Sequence, residues 1–147
     1  MEKTQNSIRK QAICTLFIAL IIASFTACDR KEMLSYYSDE SQYITITGNV
    51  SYISYNTDTE AWYLCFSDLS SKFDDNCFKI VGGNIPIVQG KIEHLDTLCG
   101  KTVTFVTAPK YFGDGYVMPI VSLVVDGETI LNYQEGFVNF LEWLKTN

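Results

Sequence analysis

Histidine is all but missing from this chain: His94 is the only one. A Ser-His or Cys-His nucleophile pair, or a zinc site built from several imidazoles, has nothing else to draw on. His94 sits beside Glu93 and Asp96 with no nucleophile placed for it, so it reads as a solvated helix residue rather than a general base. Basic residues are also few, 11 Lys and Arg against 17 Asp and Glu. Nucleic-acid affinity rests on cations that displace counterions from phosphate, so nucleic acid is not an expected partner. The longest uncharged apolar stretch, Ala12 to Ala27, has 16 residues, short of the roughly 20 that a spanning helix needs. A phosphate loop is missing too. Gly83 and Gly90-Lys91 are separated by six residues where a P-loop has four, and Ile92 stands where Ser or Thr belongs.

What is present begins with Lys3, Arg9 and Lys10, followed by no charge at all from Gln11 to Cys28. A basic start and an apolar middle are the layout of a secretion signal. Ordinary secretory cleavage after Ala27 would put bulky Phe25 at the −3 position, where a small residue is wanted. Phe25-Thr26-Ala27-Cys28 instead resembles a bacterial lipobox, whose cysteine is acylated after cleavage before it. Phe25 and Thr26 stand where the motif usually has Leu and a smaller Ala or Ser. That resemblance implies lipid on Cys28, a palmitate-type modification, and a cell-envelope protein held to a membrane through it, inner or outer. Two or more buried acyl chains suffice for stable anchoring without a spanning helix. An uncleaved signal anchor and an ordinary secreted protein are the competing readings.

Cleavage before Cys28 leaves 8 basic residues against 16 acidic ones, a net charge of −8 over 120 residues. That length suits one small domain, and of the chain's nine Tyr, nine Phe and two Trp all but Phe17 and Phe25 remain to provide ample core material. Three body cysteines remain, Cys65, Cys77 and Cys99. Export permits disulfides, and the odd count leaves at least one thiol unpaired. Cys65 and Cys77 fall in neighbouring predicted strands and are the first pair to consider. No cysteine has a metal-ligand partner at the right spacing, and neither a metal nor a cofactor is expected.

Residues 28–42 are polar and without a lasting period, which predicts a tether between lipid and domain. Ile44, Ile46, Val50 and Tyr52 then alternate with polar residues, a strand with Gly48 at a bulge. Trp62 to Phe66 and Cys77 to Val81 are two further strands. Ile92, Leu95 and Cys99, at i, i+3 and i+7 before Gly100, predict a short helix over Lys91 to Cys99. Thr102 to Thr107 is strand four. Strand five runs from Tyr116 to Val125, with Pro119 at an edge or bulge. Asn132 and Glu135 have capping-box spacing and open a helix over 132–147 with Phe137, Phe140, Leu141 and Leu144 as its apolar stripe.

Three strands, a short helix and two strands is the element order of the OB fold. The expected class is therefore mostly β: a five-stranded, OB-like Greek-key barrel over residues 43–131 with a short helix between strands 3 and 4 and a C-terminal amphipathic helix. Leu98-Cys99-Gly100-Lys101-Thr102-Val103-Thr104-Phe105 resembles a passage common in bacterial OB-fold domains. From Ile44 to Val125 the chain is similar to a family of small, uncharacterised bacterial lipoproteins and exported proteins with an OB-like domain. Thr47-Gly48-Asn49-Val50, Gly100-Lys101-x-Val103 and the aromatic, Gly-containing loop from Tyr111 to Pro119 carry the likeness. It implies a fold and not a chemistry, because the family has no settled activity and the histidines frequent in that loop are absent here.

OB folds bind ligands across strands 2 and 3, between the loops joining strands 1–2 and 4–5. Tyr55, Trp62, Tyr111, Phe112 and Tyr116 fall there and are the ligand-binding candidates, able to stack on sugars, peptide side chains or bases unless they cap the barrel ends instead. Asp68, Asp74, Asp75 and Asn76 could gather oxygens around Ca²⁺ but lack EF-hand spacing, and a solvated loop is the plainer reading. The function these observations favour is a non-enzymatic, lipid-anchored binding module for an envelope protein, peptide or glycan. Two alternatives stay open. One is an immunity or inhibitor lipoprotein, and the other is a small hydrolase using Asp58 and Asp114 from the two framing loops as paired carboxylates.

Overall fold

The computed structural model describes residues 30–69, 73, 76–112 and 118–147. Cys28, Tyr116, Asp114, Asp74 and Asp75, all named above, lie outside the described residues. Residues 30–38 are helical, here α1. The compact unit that holds the sheet begins at Tyr36, within the stretch predicted to be a tether. Tyr37 belongs to that unit and is buried; its hydroxyl donates to the Lys110 carbonyl at 2.8 Å, and the Tyr43 hydroxyl donates to the Tyr37 carbonyl at 2.9 Å. A 3-10 turn at Glu40–Gln42 follows, opened by the Asp39 side chain accepting from the Ser41 N–H.

Among the described residues, the domain is built on one open antiparallel sheet of six strands: β1 (Ile44–Asn56), β2 (Ala61–Phe66), β3 (Cys77–Ile80), β4 (Thr102–Thr107), β5 (Ser122–Val125) and β6 (Glu128–Leu131), in the order β3-β2-β1-β4-β5-β6. Five strands were expected. The sixth arises from Asp126-Gly127, both at positive φ, which close a two-residue hairpin between β5 and β6. β1 serves two neighbours in turn, β4 with Ile44 to Asn49 and β2 with Val50 to Asn56. The bulge that lets it change partners lies between Val50 and Tyr52, not at Gly48. Gly48 is small for another reason: a Cβ there would meet the Phe66 ring at 2.8 Å and Leu69 at 3.0 Å.

The strand predicted over Tyr116 to Val125 is divided. Ser122 to Val125 pairs with β4, whereas Pro119 makes one parallel bridge to Lys79 of β3. The Lys79 N–H donates to the Met118 carbonyl at 3.0 Å and its carbonyl accepts from the Ile120 N–H at 2.7 Å. Inside, Phe66, Phe78 and Phe105 from β2, β3 and β4 converge, with ring centroids 4.7 to 5.6 Å apart. Each such pair adds about 0.5–1.5 kcal/mol beyond the area it buries.

The helix after β3 is also displaced from its predicted place. Helix α2 spans Asn84–Lys91, and Leu95–Leu98 form only a 3-10 turn. Pro86 sits in the first turn of α2, where no N–H is needed, so it does not break the helix. Leu95 and Leu98 are buried and Cys99 is exposed, so the apolar spacing marks a turn pressed onto the core. Helix α3 spans Tyr133–Thr146 and is capped by the Asn132 side chain, which accepts from the Glu135 N–H at 3.0 Å and donates to Glu135 Oε2 at 3.0 Å. Phe137, Phe140 and Leu144 are its buried stripe.

Candidate functional site

Strand alternation after the β1 bulge decides which side chains face outward. Val50 stands opposite Phe66, and both are fully buried. The bulge then skips one residue, so Tyr52 lies opposite Cys65, Ser54 opposite Tyr63, and Tyr63 opposite Lys79. Tyr52, Ser54, Cys65, Tyr63, Cys77 and Lys79 consequently share one face of β1-β2-β3. Ile53, Leu64 and Phe78 share the opposite, core face with Tyr55, Trp62 and Ile80.

On the outer face, a disulfide joins Cys65 to Cys77 across β2 and β3. Lys79 is only 2% exposed, and its Nζ lies 4.7 Å from the centroid of the Tyr63 ring. Tyr52 is 53% exposed, and its hydroxyl donates to Ser54 Oγ at 3.0 Å. A shallow groove of about 420 Å³ runs along this part of β1, lined by Tyr52, Ser54, Tyr55, Asn56, Thr57 and Tyr63. Its walls offer phenol rings, hydroxyls and one amide, and no carboxylate or cation. Such a surface can stack and hydrogen-bond a ligand; it holds no acid-base pair.

The candidates read from sequence fall into two groups. Tyr55 and Trp62 meet in a tilted ring contact at the β1-β2 end, with centroids 5.1 Å apart, where Tyr55 is 45% exposed and the Trp62 Nε1 is buried with no hydrogen-bond partner among the described residues. Tyr111 is exposed, whereas Phe112 is half-buried against Tyr36 and Tyr37, at 5.5 Å from each, with Lys110 Nζ 4.5 Å over its ring. No ring contact joins Tyr111 or Phe112 to Tyr55 or Trp62 among the described residues. Tyr52 and Tyr63 escaped the sequence reading because strict alternation from Val50 puts Tyr52 inside.

Of the remaining chemistry-bearing residues, Asp68 is engaged through its side chain, and Asp58 and His94 through their backbone. Both Asp68 carboxylate oxygens accept from the Asn49 N–H, at 3.1 and 3.2 Å. Asp58 sits in the β1-β2 turn, where its N–H donates to Asn56 Oδ1 at 2.8 Å. His94 precedes the 3-10 turn, and its carbonyl accepts from the Thr97 N–H and hydroxyl. No group of three His, Cys, Asp or Glu could hold a metal ion among the described residues. No protein-family model, curated protein or solved structure matches this chain.

Proposed function

We propose that this chain is a bacterial envelope lipoprotein, anchored through lipid on Cys28, whose domain is a non-enzymatic binding module that works through the outer face of β1-β2-β3. The groove along Tyr52, Ser54 and Tyr63, bounded at the end of β1 by Tyr55, carries this proposal: aromatic faces and neutral hydrogen-bonding groups gathered on a sheet that the Cys65–Cys77 disulfide holds in register. We further infer an OB-type connectivity. Its supports are the order of three strands, helix and two strands, and the parallel bonds from Lys79 to Met118 and Ile120, which draw β3 toward the last part of the chain as barrel closure requires. β6 and α3 are additions to that plan.

Two experiments test the anchor and the surface separately. Feeding cells a clickable fatty acid should label the wild-type protein and leave Cys28→Ala unlabelled; equal labelling of both removes the anchor. In pull-downs from envelope extracts, Tyr52→Ala/Tyr63→Ala should lose the captured partners that Tyr111→Ala/Phe112→Ala retains. An identical partner set for both double variants removes the proposed surface.

A further inference from the structure

The second half of β1 is an unpaired strand edge. β4 covers the far side of β1 only as far as Asn49, and the last bonds on that side are Val50 N–H to the Lys101 carbonyl at 2.9 Å and Gly100 N–H to the Val50 carbonyl at 2.7 Å. Beyond Val50 no backbone bond reaches β1 from that side among the described residues. Which groups are left over follows from the ladder. Lys79 sends its N–H to the Met118 carbonyl and turns its carbonyl to the Ile120 N–H, away from β2, so Tyr63, opposite it, bonds β1. Trp62 and Leu64 then bond β3, and the β1 residues opposite them, Tyr55 and Ile53, turn their N–H and carbonyl groups outward, away from β2. Two such residues at i and i+2, roughly 7 Å apart, have the repeat of an antiparallel ladder.

Exposed edges of this length are normally guarded by Lys, Pro, an inward charge or a covering element. Ser51-Tyr52-Ile53-Ser54-Tyr55-Asn56-Thr57 contains neither Pro nor any charged residue. The groove described above runs along the same residues, Tyr52 to Thr57, and so lies where the side chains of an added strand would rest. Its walls are uncharged, and the nearest turn carries exposed Asp58 and Glu60 on a domain of strongly negative net charge.

We propose that the free edge of β1 takes up an extended peptide segment as an additional antiparallel strand, pairing with Ile53 and Tyr55 and placing neutral side chains along the Tyr52–Tyr55 groove and a basic residue beside Asp58 and Glu60. Main-chain pairing gives such a site its affinity and the flanking pockets its selectivity. This inference rests on the proposed role of the β1-β2-β3 surface and names the class of partner it takes.

Random decapeptides displayed on phage are the probe, selected on the full chain in detergent micelles. Selected peptides should slow amide exchange at Ile53 and Tyr55 by about tenfold or more and leave Ser54, already bonded to β2, unchanged. They should be enriched in Lys or Arg at one end. Tyr55→Pro removes an edge N–H while sparing the bonds to β2, and should weaken binding about tenfold beyond Tyr55→Ala. Should Tyr55→Pro fail to fold, the same peptides N-methylated at alternate residues, tested on the unaltered chain, must show that loss. Failure to select any peptide, or binding without protection of Ile53 and Tyr55, overturns the proposal. So does protection that rises with protein concentration alone, which would make the occupant a second copy. Chitotetraose shifting the Tyr52 and Tyr63 ring signals while peptides do nothing also overturns strand pairing yet keeps the surface. The surface itself falls only if Tyr52→Ala/Tyr63→Ala changes no captured partner.

Discussion

Cys65 of β2 and Cys77 of β3 stand directly opposite each other, their Cα atoms 4.0 Å apart, and are joined by a disulfide. The pairing of Lys79 away from β2 places these residues at one of the closely spaced positions of the ladder, where opposed side chains meet most easily. Cys99 is exposed and free. Alkylation of the unreduced protein should therefore modify Cys99 and spare Cys65 and Cys77. Closing a loop with a sequence separation of 12 restrains the unfolded chain, and Cys65→Ala/Cys77→Ala should cost about 2–3 kcal/mol. Urea titration of the two proteins measures this; an unchanged midpoint would show that the sheet does not depend on the bond.

Gly136 and Gly90 lie in helices and should respond to alanine in opposite directions. A Cβ at Gly136 would collide with the Val121 carbonyl oxygen, a backbone atom that cannot swing aside. Gly136→Ala must push α3 off β5 and should cost about 1–3 kcal/mol. At Gly90 in α2 an added Cβ meets nothing within 4 Å. Gly90→Ala should add roughly 0.5–1 kcal/mol by narrowing the unfolded ensemble and favouring helix. Thermal and urea unfolding of both variants check the signs.

Much of this architecture is legible in the chain, and the parts that are not have identifiable causes. Alternation in Thr102 to Thr107 gives a strand because it has one buried face, whereas Leu64, Cys65 and Phe66 of β2 are all buried and that strand shows through its run of apolar residues. The Asn132 and Glu135 cap announces α3 because a side-chain cap is a local event. By contrast, α2 contains Pro86 and Gly90, two residues that argue against a helix, and it holds through tertiary packing of Val88 and Asn84. Asp126-Gly127 is a strong hairpin signal that the strand prediction stopped short of using. Tyr52 is the most consequential miss for function. A one-residue bulge reverses every face downstream of it, and nothing in the residues themselves states where β1 leaves β4 for β2.

Stability should fall in alkali before it falls anywhere near neutrality. Burial pushes the Tyr37 and Tyr43 hydroxyls well above their ordinary value of 10.0. Tyr133 is pushed up to about 12, by burial first and then by the hydrogen bond its hydroxyl donates to Glu40 at 3.0 Å. All three phenols are held protonated in the fold and ionise earlier in the unfolded chain. Their contribution is complete below pH 10 and is lost as pH rises from there through the folded values, because the native state then binds more protons. Unfolding free energy should decline from pH 9 to pH 11. Tyr43→Phe should lower it by about 1 kcal/mol at pH 9 through the lost bond to the Tyr37 carbonyl, and should make the alkaline decline shallower. An equal slope in both proteins would mean that Tyr43 titrates freely.

Among the described residues, Asn84 is the fully buried side-chain amide that ties α2 to α3. Its Nδ2 donates to the Gly136 carbonyl at 2.9 Å, and its Oδ1 accepts from Asn139 Nδ2 at 3.2 Å. The Gly136 carbonyl is an acceptor inside a helix that approaches the β5 side of the domain too closely to admit a side chain at that residue. Asn84→Leu, close in size, would leave both partners unsatisfied in a space that excludes water, at a cost of about 1–3 kcal/mol. Asn139→Ala removes only one half-buried donor and should cost less. If the pair is one network, the double variant will lose less than the two single losses together. Additive losses would instead mean that Asn84 acts through Gly136 alone, and that α3 is held to α2 by a single hydrogen bond.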